Sequence, residues 1–250
     1  MKLFFCTKLS TMETISEATI VPMNSRVAFI TGAKGGVGSF VTEAFLAKGV
    51  TVVGASRSIA QGDFAGPHFT ALPVDFTKPE AVREGIDASV RRSGGLDVLV
   101  HVLGGFAGGT SVAETDDATW EQMRDLNLTS AFYVLRAAIP HLRKSSNGRI
   151  VVIGSLAATE PHAGLGAYVV FKSALTMLVR TVALENKDAG LAANVILPGT
   201  MDTRANRQAM PGADFSKWLA PKKVAELAWW LASEDARDIT GTVIPIDGCL

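Results

Sequence analysis

Short, nearly continuous apolar runs recur at 27–30, 50–55, 69–74, 96–102, 150–153, 194–197 and 243–246, each rich in β-branched residues. Such runs predict strands buried on both faces rather than strands with one solvated side. Helix-period patterns occupy 38–48, 78–92, 116–143, 166–187 and 221–233 between them. Strands that alternate with helices need crossovers, so the expected fold is α/β, doubly wound, with a mainly parallel seven-stranded sheet. Residues 1–24 are aperiodic and predict a flexible N-terminal extension ahead of a single domain over 25–250.

Ligands of such sheets bind beyond the carboxyl ends of the strands, and the chain's polar and glycine-rich signals fall there. The turn 31–38, with Gly32, Lys34, Gly36, Val37 and Gly38, joins the first strand to the first helix. Its glycines let backbone approach a pyrophosphate, and the helix start offers free N–H groups. The second strand ends in Ser56-Arg57, without the acid that would bind a free ribose 2′-hydroxyl. Arg57 reads either as a clamp for a 2′-phosphate, which makes the cofactor NADP(H), or as a solvated surface arginine. Asp75 follows the third strand and either faces the adenine or caps the helix near Lys78.

Tyr168 and Lys172 are four apart in a helical pattern and share a face, so the lysine is expected to lower the phenol pKa. Ser155 ends the fifth strand, where its hydroxyl either polarises a substrate carbonyl or closes a local turn. Asn127 interrupts Leu126 and Leu128, and either holds a water or bridges backbone groups. The stretch 200–218 has no regular period and is expected to form a mobile flap, with Phe215 and Trp218 closing on substrate or pinning the loop. Phe106 and His162 complete the candidate substrate contacts.

Taken together these residues resemble the short-chain dehydrogenase/reductase family over 25–250. The family pattern TGxxxGxG falls on Gly32, Gly36 and Gly38, its tetrad on Asn127, Ser155, Tyr168 and Lys172, and its PG segment on Pro198, Gly199 and Thr203. The resemblance implies a Rossmann-type domain that transfers a hydride between nicotinamide and a carbonyl or alcohol. Tyr168 is then the general acid or base, Lys172 holds the nicotinamide ribose and lowers the tyrosine pKa, and Ser155 orients the carbonyl. Gly104 closes the segment His101-Val-Leu-Gly104, where the family usually carries Asn-Asn-Ala-Gly. That departure puts local hydrogen bonding in question.

A narrower likeness to dihydropteridine reductases covers the loops 104–109 and 206–218, and implies reduction of a conjugated imine-type ring as the alternative. A catalytically silent NADP-sensing protein is a third reading, opposed by the complete tetrad. The resemblance also implies a homodimer or homotetramer.

Charge and cysteine content narrow the partners. Lys plus Arg and Asp plus Glu both number 24, which leaves no global field to draw in nucleic acid or an anionic membrane, and points to a small-molecule substrate. Cys6 and Cys249 offer neither metal-ligand spacing nor a disulfide framework, so no metal and a cytoplasmic location are expected. No signal peptide is read at the N-terminus, and no uncharged run of 18 apolar residues predicts a membrane span.

Overall fold

The computed structural model describes residues 26–248. The expected N-terminal extension over 1–24, and both cysteines, lie outside the described residues. Seven strands form one sheet: β1 (Val27–Thr31), β2 (Thr51–Ser56), β3 (Phe69–Pro73), β4 (Val98–His101), β5 (Arg149–Ile153), β6 (Ala192–Pro198) and β7 (Val243–Ile246). Their order is β3-β2-β1-β4-β5-β6-β7, and every pairing is parallel. The helices α1 (Gly38–Leu46), α2 (Pro79–Ser93), α3 (Asp117–Arg124), α4 (Ser130–Leu142), α5 (Gly166–Glu185), α6 (Arg204–Ala209) and α7 (Pro221–Ala232) complete the fold.

Parallel pairing forces each connection back across a face of the sheet, so both faces are covered. One apolar cluster joins Phe29, Leu99 and Val195 of the sheet to Ile86 of α2, Leu135 of α4 and Leu175 of α5. The other joins Ile30, Val100 and Ile196 to Phe45 of α1 and Leu231 of α7. Every residue of β1, β4, β5 and β6 is buried, which explains why these strands read as continuous apolar runs. Among the described residues, α5 has the length and hydropathy of a spanning helix. It carries Lys172 and Arg180, however, and packs Leu175, Val179 and Val182 into the core beside the sheet.

The outer strands are treated differently from the central ones. Val195 and Gly199 donate backbone N–H groups to the carbonyls of Thr242 and Ile246, so Pro245 faces away from β6. On the opposite edge, the Gln61 side chain accepts from Ala71 N at 3.0 Å and donates to Phe69 O at 2.7 Å, and β3 ends in Pro73.

Two expected elements differ. The helix expected over 116–143 is divided by a π turn at Asp125–Thr129 between α3 and α4. Asn127 and Ser130 there donate to the carbonyls of Met123 and Leu126 respectively, so side chains compete for the helix's own acceptors. The aperiodic stretch 200–218 contains α6 and a short 3-10 turn at Phe215–Lys217. It is tied down by the Met201–Leu219 bridge and by Asp202 N donating to Leu219 O at 2.8 Å.

Candidate active site

The strand order reverses between β1 and β4, and a cleft of about 1760 Å³ opens over the carboxyl ends at this point. At one end the turn after β1 folds tightly, with Gly32 at φ +64° and Gly35 N donating to Gly32 O at 2.8 Å. A Cβ on Gly38 would overlap the Gly32 carbonyl, so glycine is required for the turn to close. No side chain caps the start of α1 and no acid lies in its first turn, so although Ser39 N already donates to Gly35 O at 3.0 Å, the positive end of the helix is left for an anion. Lys34 lines the cleft but is paired with Asp63 at 2.9 Å.

At the end of β2, Ser56 and Arg57 both line the cleft. The Ser56 hydroxyl is buried without a hydrogen-bond partner, and Arg57 is exposed. Asp75 stands close enough for the Arg57 charge to favour its ionised form. The main cause of its lowered pKa, however, is the bond from the Thr77 hydroxyl. The capping alternative for Asp75 does not hold. Lys78 is the N-cap of α2, and Asp75 instead accepts from Thr77 N and Oγ1. A dinucleotide therefore fits this end: a glycine cradle, an uncapped helix start, and an unsatisfied hydroxyl beside a cation.

At the other end, β5 delivers Ser155 and α5 delivers Tyr168 and Lys172. Ser155 accepts from Ala157 N at 3.3 Å, capping the short turn Leu156–Ala158, and lies close enough to Tyr168 to favour its ionised form. The turn alternative for Ser155 is realised, and the turn bond leaves the residue on the cleft wall with Tyr168. Lys172 is fully enclosed, with Nζ donating to Ile153 O at 3.4 Å. A Cβ on Gly104 would lie 2.9 Å from that Nζ and 3.0 Å from Asn127 Oδ1, so both side chains converge on Gly104. Asn127 is completely buried behind the cleft wall and bridges backbone, accepting from Gly105 N and donating to Met123 O, each at 3.1 Å.

The expected lowering of the Tyr168 pKa by Lys172 is not found. Burial raises the phenol above its ordinary value, opposed only by the Ser155 hydroxyl. The lysine amine addresses the end of β5 instead, and its own pKa is lowered to about 8 by burial. The phenol is accordingly protonated near neutral pH, the form that donates.

Pro198, Gly199 and Thr203 line the cleft beyond β6, with Thr203 Oγ1 accepting from Asn206 N to cap α6. Phe106 meets the Tyr168 ring edge-on at 5.0 Å, and His162 and Trp218 also border the cleft. Phe215 does not. Its ring meets that of Trp218 at a tilt, 4.7 Å between centroids, beneath Arg207, which is itself paired with Asp202, and so it braces the segment. Residues that sequence reasoning missed include Leu156, Leu165, Met201 and Asp247, whose only signal was a place just after a strand or before a helix.

The model of the short chain dehydrogenase family matches residues 26–213. The chain belongs to that family. It is 33% identical over 238 residues to a 2,5-dichloro-2,5-cyclohexadiene-1,4-diol dehydrogenase of Sphingobium indicum, covering 89% of this chain and 95% of that one. It is 32% identical over 249 residues to 3beta-hydroxysteroid dehydrogenase 1 of Eggerthella lenta, covering 90% and 94%. The solved structure of ElxO with NADP bound superposes with a TM-score of 0.83 at 27% identity, covering 89% and 97%. This short-chain dehydrogenase is a nicotinamide-dependent oxidoreductase acting on alcohol or carbonyl groups.

Enclosing the Lys172 ammonium is costly, and the sign follows from its depressed pKa. Below pH 8 both folded and unfolded chains carry the charge and the cost is complete. Between pH 8 and 10.5 the folded chain sheds the proton first and the cost is relieved. A shift from 10.5 to about 8 corresponds to about 3 kcal/mol. Lys172→Met is therefore expected to raise the melting temperature at pH 7 while abolishing turnover. The gap to wild type should narrow as pH rises from 8 to 10, as read by thermal denaturation across that range.

Proposed function

We propose that this enzyme is an NADP(H)-dependent carbonyl reductase or alcohol dehydrogenase in which Tyr168 is the general acid or base. The observation that carries the chemistry is the placement of Ser155 and Tyr168 together on the cleft wall, close enough for the serine hydroxyl to favour the ionised phenol. Two hydroxyls on one wall converge where a single substrate oxygen would sit, which suits a carbonyl or alcohol better than the ring nitrogen of an imine. The bound nicotinamide supplies or accepts the hydride. Tyr168 passes its phenolic proton to the substrate oxygen in reduction, and Ser155 orients that oxygen. Lys172, next to Gly104, holds the nicotinamide ribose and carries positive charge toward the reacting centre. Phe106, itself largely exposed, lies edge-on to Tyr168 and offers an apolar contact for the substrate.

The 2′-phosphate reading rests on the unpartnered Ser56 hydroxyl beside exposed Arg57, with no acid at that position. It is supported by the NADP held in the ElxO structure. Gly32, Gly36, Val37 and Gly38 take the pyrophosphate, Asp75 lies beside the adenine, and Pro198, Gly199 and Thr203 meet the nicotinamide end.

The assembly is a homodimer or homotetramer built on α4 and α5, whose outer faces expose Phe132, Val170, Met177 and Leu184. Sedimentation equilibrium is expected to give a dimer or tetramer mass; a monomer at micromolar concentration would refute this. The compartment is the cytoplasm, since 26–248 contain no cysteine and the fold needs no oxidising surroundings.

Tyr168→Phe is expected to retain cofactor binding and lower kcat by roughly 10²–10⁴, the usual worth of a positioned general acid. Steady-state assays over cyclic ketones, aldehydes and secondary alcohols check it. A near-wild-type kcat removes Tyr168 from the mechanism.

Arg57→Ala should weaken NADPH by roughly ten- to a hundred-and-fifty-fold, the loss of about 1.5–3 kcal/mol from a charge-assisted bond, and leave NADH nearly unchanged. Fluorescence titration of both cofactors decides, and an equal loss for the two would clear Arg57 of reading the phosphate.

A further inference from the structure

The last residue of β4 is His101, completely buried on the face of the sheet that carries Leu99. Across the ladder it pairs with Thr31, the last residue of β1, and its Nδ1 lies 3.0 Å from Thr31 Oγ1. The same hydroxyl oxygen accepts from the backbone N–H groups of Val102 at 3.1 Å and Leu103 at 3.2 Å. With two N–H donors on its lone pairs, the hydroxyl has one proton left to give, and among the described residues the acceptor it meets is His101 Nδ1. The ring is therefore the tautomer with its proton on Nε2. That Nε2 is buried and has no hydrogen-bond partner among the described residues. Burial, reinforced by the Lys172 charge, holds the ring neutral, with a pKa of about 3.

A leucine would fill this space without orphaning an N–H group. What the imidazole adds is its hold on the Thr31 hydroxyl, and through it on the segment 102–105. That segment runs between two parts of the site. On one side, a Cβ on Gly32 would lie 3.0 Å from Leu103 N and 3.1 Å from Leu103 Cα. On the other, Gly104 abuts the Lys172 amine and Gly105 N donates to Asn127 Oδ1.

We propose that His101 is a positioning residue: by accepting the Thr31 hydroxyl proton it fixes the height of the 102–105 backbone between the dinucleotide turn and the Lys172–Asn127 pair. It touches neither substrate nor cofactor. It sets where Lys172 stands relative to the nucleotide, and so rests on the cofactor and lysine roles proposed above.

Two measurements on the full chain test this. With the histidine rings labelled with nitrogen-15, and the His101 signals assigned by their loss in His101→Asn, the expected spectrum is the neutral Nε2–H tautomer, unchanged from pH 5 to 8. A proton on Nδ1 would overturn the proposal. His101→Leu, assayed well below its melting temperature, is expected to lower kcat roughly ten- to a hundredfold, the scale of an ångström-level misplacement, and to weaken the cofactor severalfold. His101→Asn, whose side-chain carbonyl can accept the same proton, should recover most of both. Thr31→Val should match the leucine loss, and the double variant should lose no more than either single one. It also replaces His101→Leu if that chain does not fold. A merely structural histidine predicts instead a lower melting temperature with kcat and cofactor affinity intact in the folded fraction, and that result would sink the idea. If the enzyme turns over no substrate tried, the proposed function fails, while the tautomer and the cofactor titration still decide on His101.

Discussion

All seven strands point the same way, and that single constraint organises the molecule. Parallel strands cannot be joined by tight hairpins, so every connection crosses a face and both faces are sealed by helices. Polar side chains that follow the strands then have one place to gather, the carboxyl edge. The turn after β1, Ser56 and Arg57 after β2, Asp75 beyond β3, Gly104 beyond β4 and Ser155 beyond β5 are brought together because they hold the same relative position in successive units. Their separation in sequence is large, and their convergence is a property of the sheet.

The site built there is paid for in buried polarity. Lys172 is enclosed with one long bond to a carbonyl, Ser56 keeps a hydroxyl unsatisfied, and His101 leaves a ring N–H without a partner. Each would be better replaced by an apolar group if folding were the only requirement. Elsewhere, buried polar groups such as Asn186 and Asn194 have their side-chain amides bonded. Unsatisfied atoms are not confined to the cleft end, since Arg149 Nε, at the opposite end of the sheet, is also buried without a partner among the described residues.

Most of the fold was legible in the sequence because full burial on both faces leaves unbroken apolar runs at β1, β4, β5 and β6, and the less buried β2, β3 and β7 still keep short apolar runs. The candidate site was legible wherever spacing carries geometry: four residues from Tyr168 to Lys172, and glycines between a strand and a helix. What was not legible depends on contacts distant in sequence. The π turn around Asn127 arises from side chains competing for helical carbonyls, and a lone asparagine between leucines does not announce it. The sign of the Tyr168 shift depends on where the lysine amine points, which helical spacing leaves open. Phe215 was expected either to close on substrate or to pin the loop, and its contacts with Trp218 and Arg207, which decide for the second, could not be read from spacing. The departure at His101 was visible, whereas its bond to Thr31 needed the ladder between β1 and β4.

The two outer strands have a consequence for how the molecule meets its surroundings. An open strand normally presents a row of free amide groups that another extended chain can copy. Here the Gln61 amide occupies the place a neighbouring peptide would take on β3, and the outward position at Pro245 has no hydrogen to give. Among the described residues, each border is thereby interrupted as a template for one more strand, and the native sheet is less open to recruiting an extended chain along its edges.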